Sequence, residues 1–76
     1  MKKITIYSTP TCHYCDLAKD YFQEHGLAYT CYDVKNDLEK RKEMVEISQQ
    51  MGVPVIKIGK KILTGFDPEA IEAALK

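Results

Sequence analysis

Seventy-six residues, 45% of them apolar and 29% charged, are enough for one modest hydrophobic core and a single domain over residues 1–76, and too few for two. Eleven basic residues balance eleven acidic ones, so no global field recruits nucleic acid or an anionic membrane, and recognition is expected to be local. The start Met1-Lys2-Lys3-Ile4-Thr5 lacks the apolar stretch and cleavage site of a secretory signal, and no apolar run approaches bilayer length. Three cysteines, only two of them close in sequence, argue against a disulfide framework. The chain therefore reads as a cytoplasmic monomer with no bound metal.

In chain order, Ile4-Thr5-Ile6-Tyr7 is β-branched and aromatic, and Ser8-Thr9-Pro10-Thr11 supplies turn and capping chemistry, which predicts a first strand ending there. Between His13 and His25 the apolar positions Tyr14, Leu17, Ala18, Tyr21 and Phe22 recur at helical spacing, and Gly26 suits the residue after a helix end. Tyr29 to Val34 is a second β-leaning run, in which Cys31 is expected as a buried small hydrophobe. Asn36 with Glu39 offers a capping box for a second helix, expected to turn Leu38, Met44, Val45, Ile47 and Met51 inward and to leave the charged face around Glu39-Lys40-Arg41-Lys42-Glu43 in solvent.

Val53-Pro54-Val55-Ile56-Lys57-Ile58 predicts a strand with proline at its start, where a missing N–H does least harm. Gly59-Lys60 reads as a two-residue hairpin turn into Lys61-Ile62-Leu63-Thr64. Asp67 and Pro68 suit the N-cap and first position of a closing helix with Ala70, Ile71, Ala74 and Leu75 inward. The order βαβαββα is an α/β pattern that can bury a four-stranded mixed sheet flanked by three helices.

Cys12-His13-Tyr14-Cys15 falls where the first strand hands over to the first helix. Residues i and i+3 of a helix are neighbours, so this spacing can open and close a disulfide without refolding the chain. Cys12 would also sit among unpaired N–H groups at the positive end of the helix dipole, which favours a thiolate. Cys12 is the expected nucleophile and Cys15 its resolving partner. An inert crosslink or zinc half-site has the same spacing, but Cys31, His13 and His25 supply no second paired set of ligands.

Tyr7-Ser8-Thr9-Pro10-Thr11-Cys12-His13-Tyr14-Cys15, then Val53-Pro54, then Gly65-Phe66-Asp67, in this order and spacing, resemble a glutaredoxin over essentially the whole chain. The resemblance implies a thioredoxin-like fold and thiol-disulfide exchange on protein disulfides or glutathione mixed disulfides, with no bound cofactor and glutathione as co-substrate. It implies a cis Val53-Pro54 bond beside the dithiol, with the Val53 backbone binding extended substrate. It also implies contacts of Asp67 with the ammonium, and of the helix end at Phe66 and Asp67 with the carboxylate, of the γ-glutamyl group. Arg41 matches a position reaching the glycyl carboxylate, and Tyr14 could flank bound substrate.

Three positions depart from the family pattern. His13 stands where many glutaredoxins have proline, and an imidazolium there would favour the Cys12 thiolate and make the couple more oxidising. Thr9 stands in place of a lysine that contacts glutathione, and Thr64-Gly65 in place of a Gly-Gly pair. Gly65-Phe66 is instead similar to redoxins that take electrons from thioredoxin reductase and serve ribonucleotide reductase. An alternative of another class is a cluster carrier, in which Cys12 and glutathione ligate an iron-sulfur cluster shared by two chains.

Overall fold

The structure is a computed structural model that describes residues 3–76. Its elements are β1 (Ile4–Ser8), α1 (His13–Glu24), β2 (Thr30–Asp33), α2 (Leu38–Ser48), β3 (Val55–Ile58), β4 (Lys61–Thr64) and α3 (Pro68–Leu75). The sheet order is β2-β1-β3-β4; β1 and β2 are parallel, and the other two pairs are antiparallel. This is the thioredoxin-like arrangement expected of the sequence. Among the described residues no helix is long and apolar enough to cross a membrane.

The two central strands are covered on both faces, and alternation along them sorts two cores. Ile4 and Ile6 of β1 stand opposite Ile58 and Ile56 of β3, and all four pack with Ala18 and Phe22 of α1 and Ile71 and Ala74 of α3. On the other face Tyr7, opposite Val55, packs with Val34 and with Met44 of α2. One helix layer therefore holds α1 and α3, and the other holds α2.

The ends of α1 follow from local chemistry. After His25, Gly26 takes φ 66°, the N–H of Gly26 donates to the Gln23 carbonyl at 3.1 Å, and that of Leu27 donates to the Phe22 carbonyl at 2.9 Å. Paired bonds of this kind define a Schellman end, in which the left-handed residue is best a glycine. The hairpin turn is also as expected: Ile58 pairs with Lys61, leaving Gly59-Lys60 as the loop, with Gly59 at φ 59°.

Several expectations are corrected. The N-cap of α2 is Asp37, whose carboxylate accepts the Lys40 N–H at 3.1 Å, while the Asn36 amide donates to Asp33 at 2.7 Å. A carboxylate one residue later serves the first turn equally and adds charge favourable to the dipole. Of the apolar residues assigned inward on α2, Met44 is buried and Val45 and Ile47 are half-buried, but Leu38 is 64% and Met51 65% exposed. The helix ends at Ser48, with Gln49 in the left-handed region at φ 57°, so Met51 lies beyond its register. Tyr14 too points to solvent, at 60% exposure. Cys31 is exposed because β2 is an edge strand; its Sγ lies 3.1 Å from Ser8 Oγ.

Candidate functional site

β1 delivers the chain to the site. Ser8 pairs with Asp33, which sets the Thr9–Cys12 turn beside the loop that leaves β2. Cys12 is the N-cap of α1, with extended backbone at φ −92° and ψ 111°. Its N–H donates to the Thr9 carbonyl at 3.3 Å and its carbonyl accepts the Asp16 N–H at 3.3 Å. Cys12 Sγ takes the place usually held by a serine or aspartate oxygen, accepting the Cys15 N–H at 3.2 Å. The half-exposed sulfur thus faces a backbone N–H of the first helical turn.

Both sulfurs are free thiols here, and they differ in environment. Cys12 is half-exposed and Cys15 has no solvent access. Burial pushes the Cys15 thiol up to about 12, and its hydrogen bond to Cys12 adds to the effect, against a smaller opposing contribution from the Thr9 backbone. One sulfur can be reached from solvent; the other holds its proton behind it. His13 and Tyr14, the first two residues of α1, are exposed and meet edge to face with ring centroids 5.8 Å apart.

The Val53-Pro54 peptide is cis, with Val53 half-buried and Pro54 buried. The Pro54 carbonyl accepts the Gly65 N–H at 2.8 Å, which ties this segment to the turn before α3. Gly65 is at φ 83°, a conformation that a side chain would strain. Phe66 is half-buried and packs edge to face on Tyr21 of α1, centroids 6.2 Å apart. Asp67 caps α3, its Oδ1 accepting the N–H groups of Glu69 at 3.1 Å and Ala70 at 3.3 Å.

Thr9, Arg41 and Val53 line one cavity of about 200 Å³, together with Met51 and Lys35. Thr9 is joined to Cys12 by a backbone hydrogen bond, which ties one wall of the cavity to the turn that carries the nucleophile. The expected residues thus form a connected path: Cys12 to Thr9 through a hydrogen bond, Thr9 to Val53 and Arg41 across the cavity, and Pro54 to Gly65 through a second hydrogen bond, with Phe66 and Asp67 following. Lys35 belongs to no motif in the sequence, and Met51 and Tyr21, expected as core residues, take places beside the site instead. The parallel pairing of Ser8 with Asp33 is the signal that locates Lys35, and the helical spacing of Tyr21 behind the motif is the signal for its support of Phe66. Among the described residues no three His, Cys, Asp or Glu side chains cluster as a metal site.

A family model described as Glutaredoxin matches residues 4–63. The chain is 38% identical over 73 residues to an uncharacterized glutaredoxin-like 8.6 kDa protein in the rubredoxin operon of Clostridium pasteurianum, covering 96% of this chain and 97% of that one. Among solved structures it superposes on a mutant of the thioredoxin-like protein BC3987 with a TM-score of 0.90 at 29% identity, over 99% of this chain and 96% of the other. It also superposes on the glutaredoxin-like NrdH-redoxin of Escherichia coli, described as having a thioredoxin-like activity profile, with a TM-score of 0.82 at 25% identity over 93% and 92% of the two chains.

Proposed function

The chain belongs to the glutaredoxin family, and on that premise we propose that it is a cytoplasmic, monomeric thiol-disulfide oxidoreductase that reduces protein disulfides and glutathione mixed disulfides, with glutathione as co-substrate. The observation that carries this reading is the asymmetry of the two sulfurs: Cys12 reachable and bonded to a backbone N–H, Cys15 sealed and protonated behind it.

In the proposed reaction the Cys12 thiolate attacks one sulfur of the substrate disulfide. A Cys12 mixed disulfide forms, and the electron pair of the broken S–S bond leaves on the other substrate sulfur as a thiolate. The departing thiolate takes up a proton from water, and Cys15, after giving up its own proton to water, attacks Cys12 Sγ as a thiolate. The second substrate sulfur leaves as a thiolate, and the Cys12–Cys15 disulfide holds the oxidising equivalents. Two glutathione thiols reset the dithiol and become glutathione disulfide. Val53 would hold the substrate backbone in extended form, Asp67 and the start of α3 would receive the γ-glutamyl end, and Arg41 and Thr9 would line the place of the glycyl end.

A second reading has thioredoxin reductase as the electron donor and ribonucleotide reductase as the recipient. Thr9, in place of a lysine, favours it by removing a cation from the glutathione side, as does likeness to the NrdH-redoxin. A three-arm turnover assay separates the two, with glutathione and its reductase, thioredoxin and thioredoxin reductase, or thioredoxin reductase acting directly. Turnover in the first arm supports glutathione; turnover in the third arm alone would replace it by the second reading.

A further inference from the structure

Leu38, Val45 and Met51, with Arg41, Lys42 and Glu46, line a groove of about 460 Å³ on the outer side of α2. Leu38 and Met51 are 64% and 65% exposed, and with Tyr14 they are the large apolar side chains most exposed among the described residues. Two such groups beside one groove, Leu38 at the start of α2 and Met51 just past its end, next to a helix whose outer face is otherwise charged, are surface left for an occupant. Arg41 and Met51 also line the cavity that holds Thr9 and Val53, so groove and cavity share two walls and lie side by side.

We propose that this groove docks the polypeptide flanking a substrate disulfide, taking an apolar side chain placed a few residues from the attacked cysteine and an acidic residue next to it. The inference rests on the disulfide-reductase reading and narrows its protein disulfides to those flanked by a particular kind of sequence. Glutathione is short and polar, with no apolar group for Leu38 and Met51 to cover, so the occupant is a longer chain. Its extended backbone would leave Val53 along the cavity, and alternate side chains would then drop toward α2. Arg41 and Lys42 on the groove and Lys35 in the adjoining cavity outnumber Glu46, which selects an acidic neighbour and disfavours a basic one.

The test uses peptides whose single cysteine is a mixed disulfide with 2-nitro-5-thiobenzoate. Cys12 attack forms a Cys12–peptide disulfide and releases the coloured thiolate. The peptides carry Leu-Asp or Ser-Ser two, three or four residues from the cysteine. The expected result is a second-order rate about tenfold higher for Leu-Asp at one or more of these spacings, the scale of burying one leucine. Leu38→Gln and Leu38→Glu, at a groove residue that does not line the cavity, should each remove most of that gain while leaving attack on the small symmetric aryl disulfide of the same thiol unchanged.

Equal rates for Leu-Asp and Ser-Ser at every spacing would overturn the proposal. So would variants that slow peptide and small disulfide alike, or a dimer of the native chain, by analytical ultracentrifugation, that the variants abolish, since a second copy would then own the groove. Failure of the underlying redox reading looks different: Cys12→Ser would release the chromophore from the small disulfide as fast as the native chain, leaving the exposed Cys31 as the reacting thiol.

Discussion

The backbone N–H of Cys15 donates to Cys12 Sγ at 3.2 Å, while the Cys15 thiol has no contact with solvent. The same residue thus stabilises the nucleophile through its amide and waits behind it with its sulfur. Removing the Cys15 sulfur leaves the amide in place. Cys15→Ser should therefore retain attack by Cys12 and still turn over a glutathione mixed disulfide, in which a second glutathione can resolve Cys12. Dithiol turnover on a protein disulfide should fall to the level of Cys12→Ser. Full dithiol turnover by Cys15→Ser, followed by NADPH consumption, would remove the resolving role.

The burial difference also predicts a labelling pattern. In the dithiol form at neutral pH, brief iodoacetamide treatment should modify Cys12 and the exposed Cys31 and spare Cys15, whose thiol is pushed up to about 12 by burial. Peptide mapping after denaturation and a second, isotopically distinct reagent reads all three sites. Early labelling of Cys15 would mean that the first turn of α1 opens readily.

Alkaline stability should register both Cys15 and Tyr7. Burial, then a hydrogen bond to Glu43, raises the Tyr7 phenol from 10.0 to about 12, and burial raises Cys15 from 9.0 to about 12. Both groups bind their proton more tightly folded than unfolded. Their contribution is thus fully present below pH 9 and is lost as pH rises through the window to about 12. The melting temperature should be flat with respect to these two groups through neutral pH and fall above pH 9. Tyr7→Phe should remove the part of that slope that begins at pH 10.

Asp67 is given two roles that substitution can separate. Asp67→Ala removes the cap on the Glu69 and Ala70 amides, at a cost of about 1 kcal/mol. Asp67→Asn keeps an oxygen there and removes the charge. Its melting temperature should stay within a few degrees of native, while KM for a glutathione mixed disulfide rises with little change in kcat. An unchanged KM would leave Asp67 as a cap alone.

Two methionines near α2 should answer alanine substitution differently. Met44 is 1% exposed, so Met44→Ala should cost about 2–5 kcal/mol, a large share of the stability of a small domain. Met51, at 65% exposure, should change stability by no more than about 0.5 kcal/mol. Urea melts of both variants measure the difference.

Much of the fold is legible in the sequence because it is written in local chemistry. Gly26 ends α1, Gly59-Lys60 turns the hairpin, Asp67-Pro68 starts α3, and alternating Ile4, Ile6, Ile56 and Ile58 mark the face beneath α1 and α3. These signals act within a few residues, and backbone sterics, capping and periodicity suffice to read them. The thiol pair is legible for the same reason, since Cys12 and Cys15 share one helical turn.

Exposure was not legible, because it depends on which strand lies at an edge and where a helix stops. Cys31 sits in an apolar-looking run but on β2, which has a neighbour on one side only, and Leu38 and Met51 match the period of α2 yet lie at its first residue and beyond its last. Nor does any spacing announce that Thr9, Arg41 and Val53 share a cavity, or that Gly65 bonds to Pro54. Those contacts join segments far apart in the chain, and only the parallel pairing of β1 with β2 and the antiparallel return of β3 bring them to one end of the sheet. The sequence by itself determined the elements and the two sulfurs; tertiary packing decided which of those sulfurs meets solvent and what surrounds it.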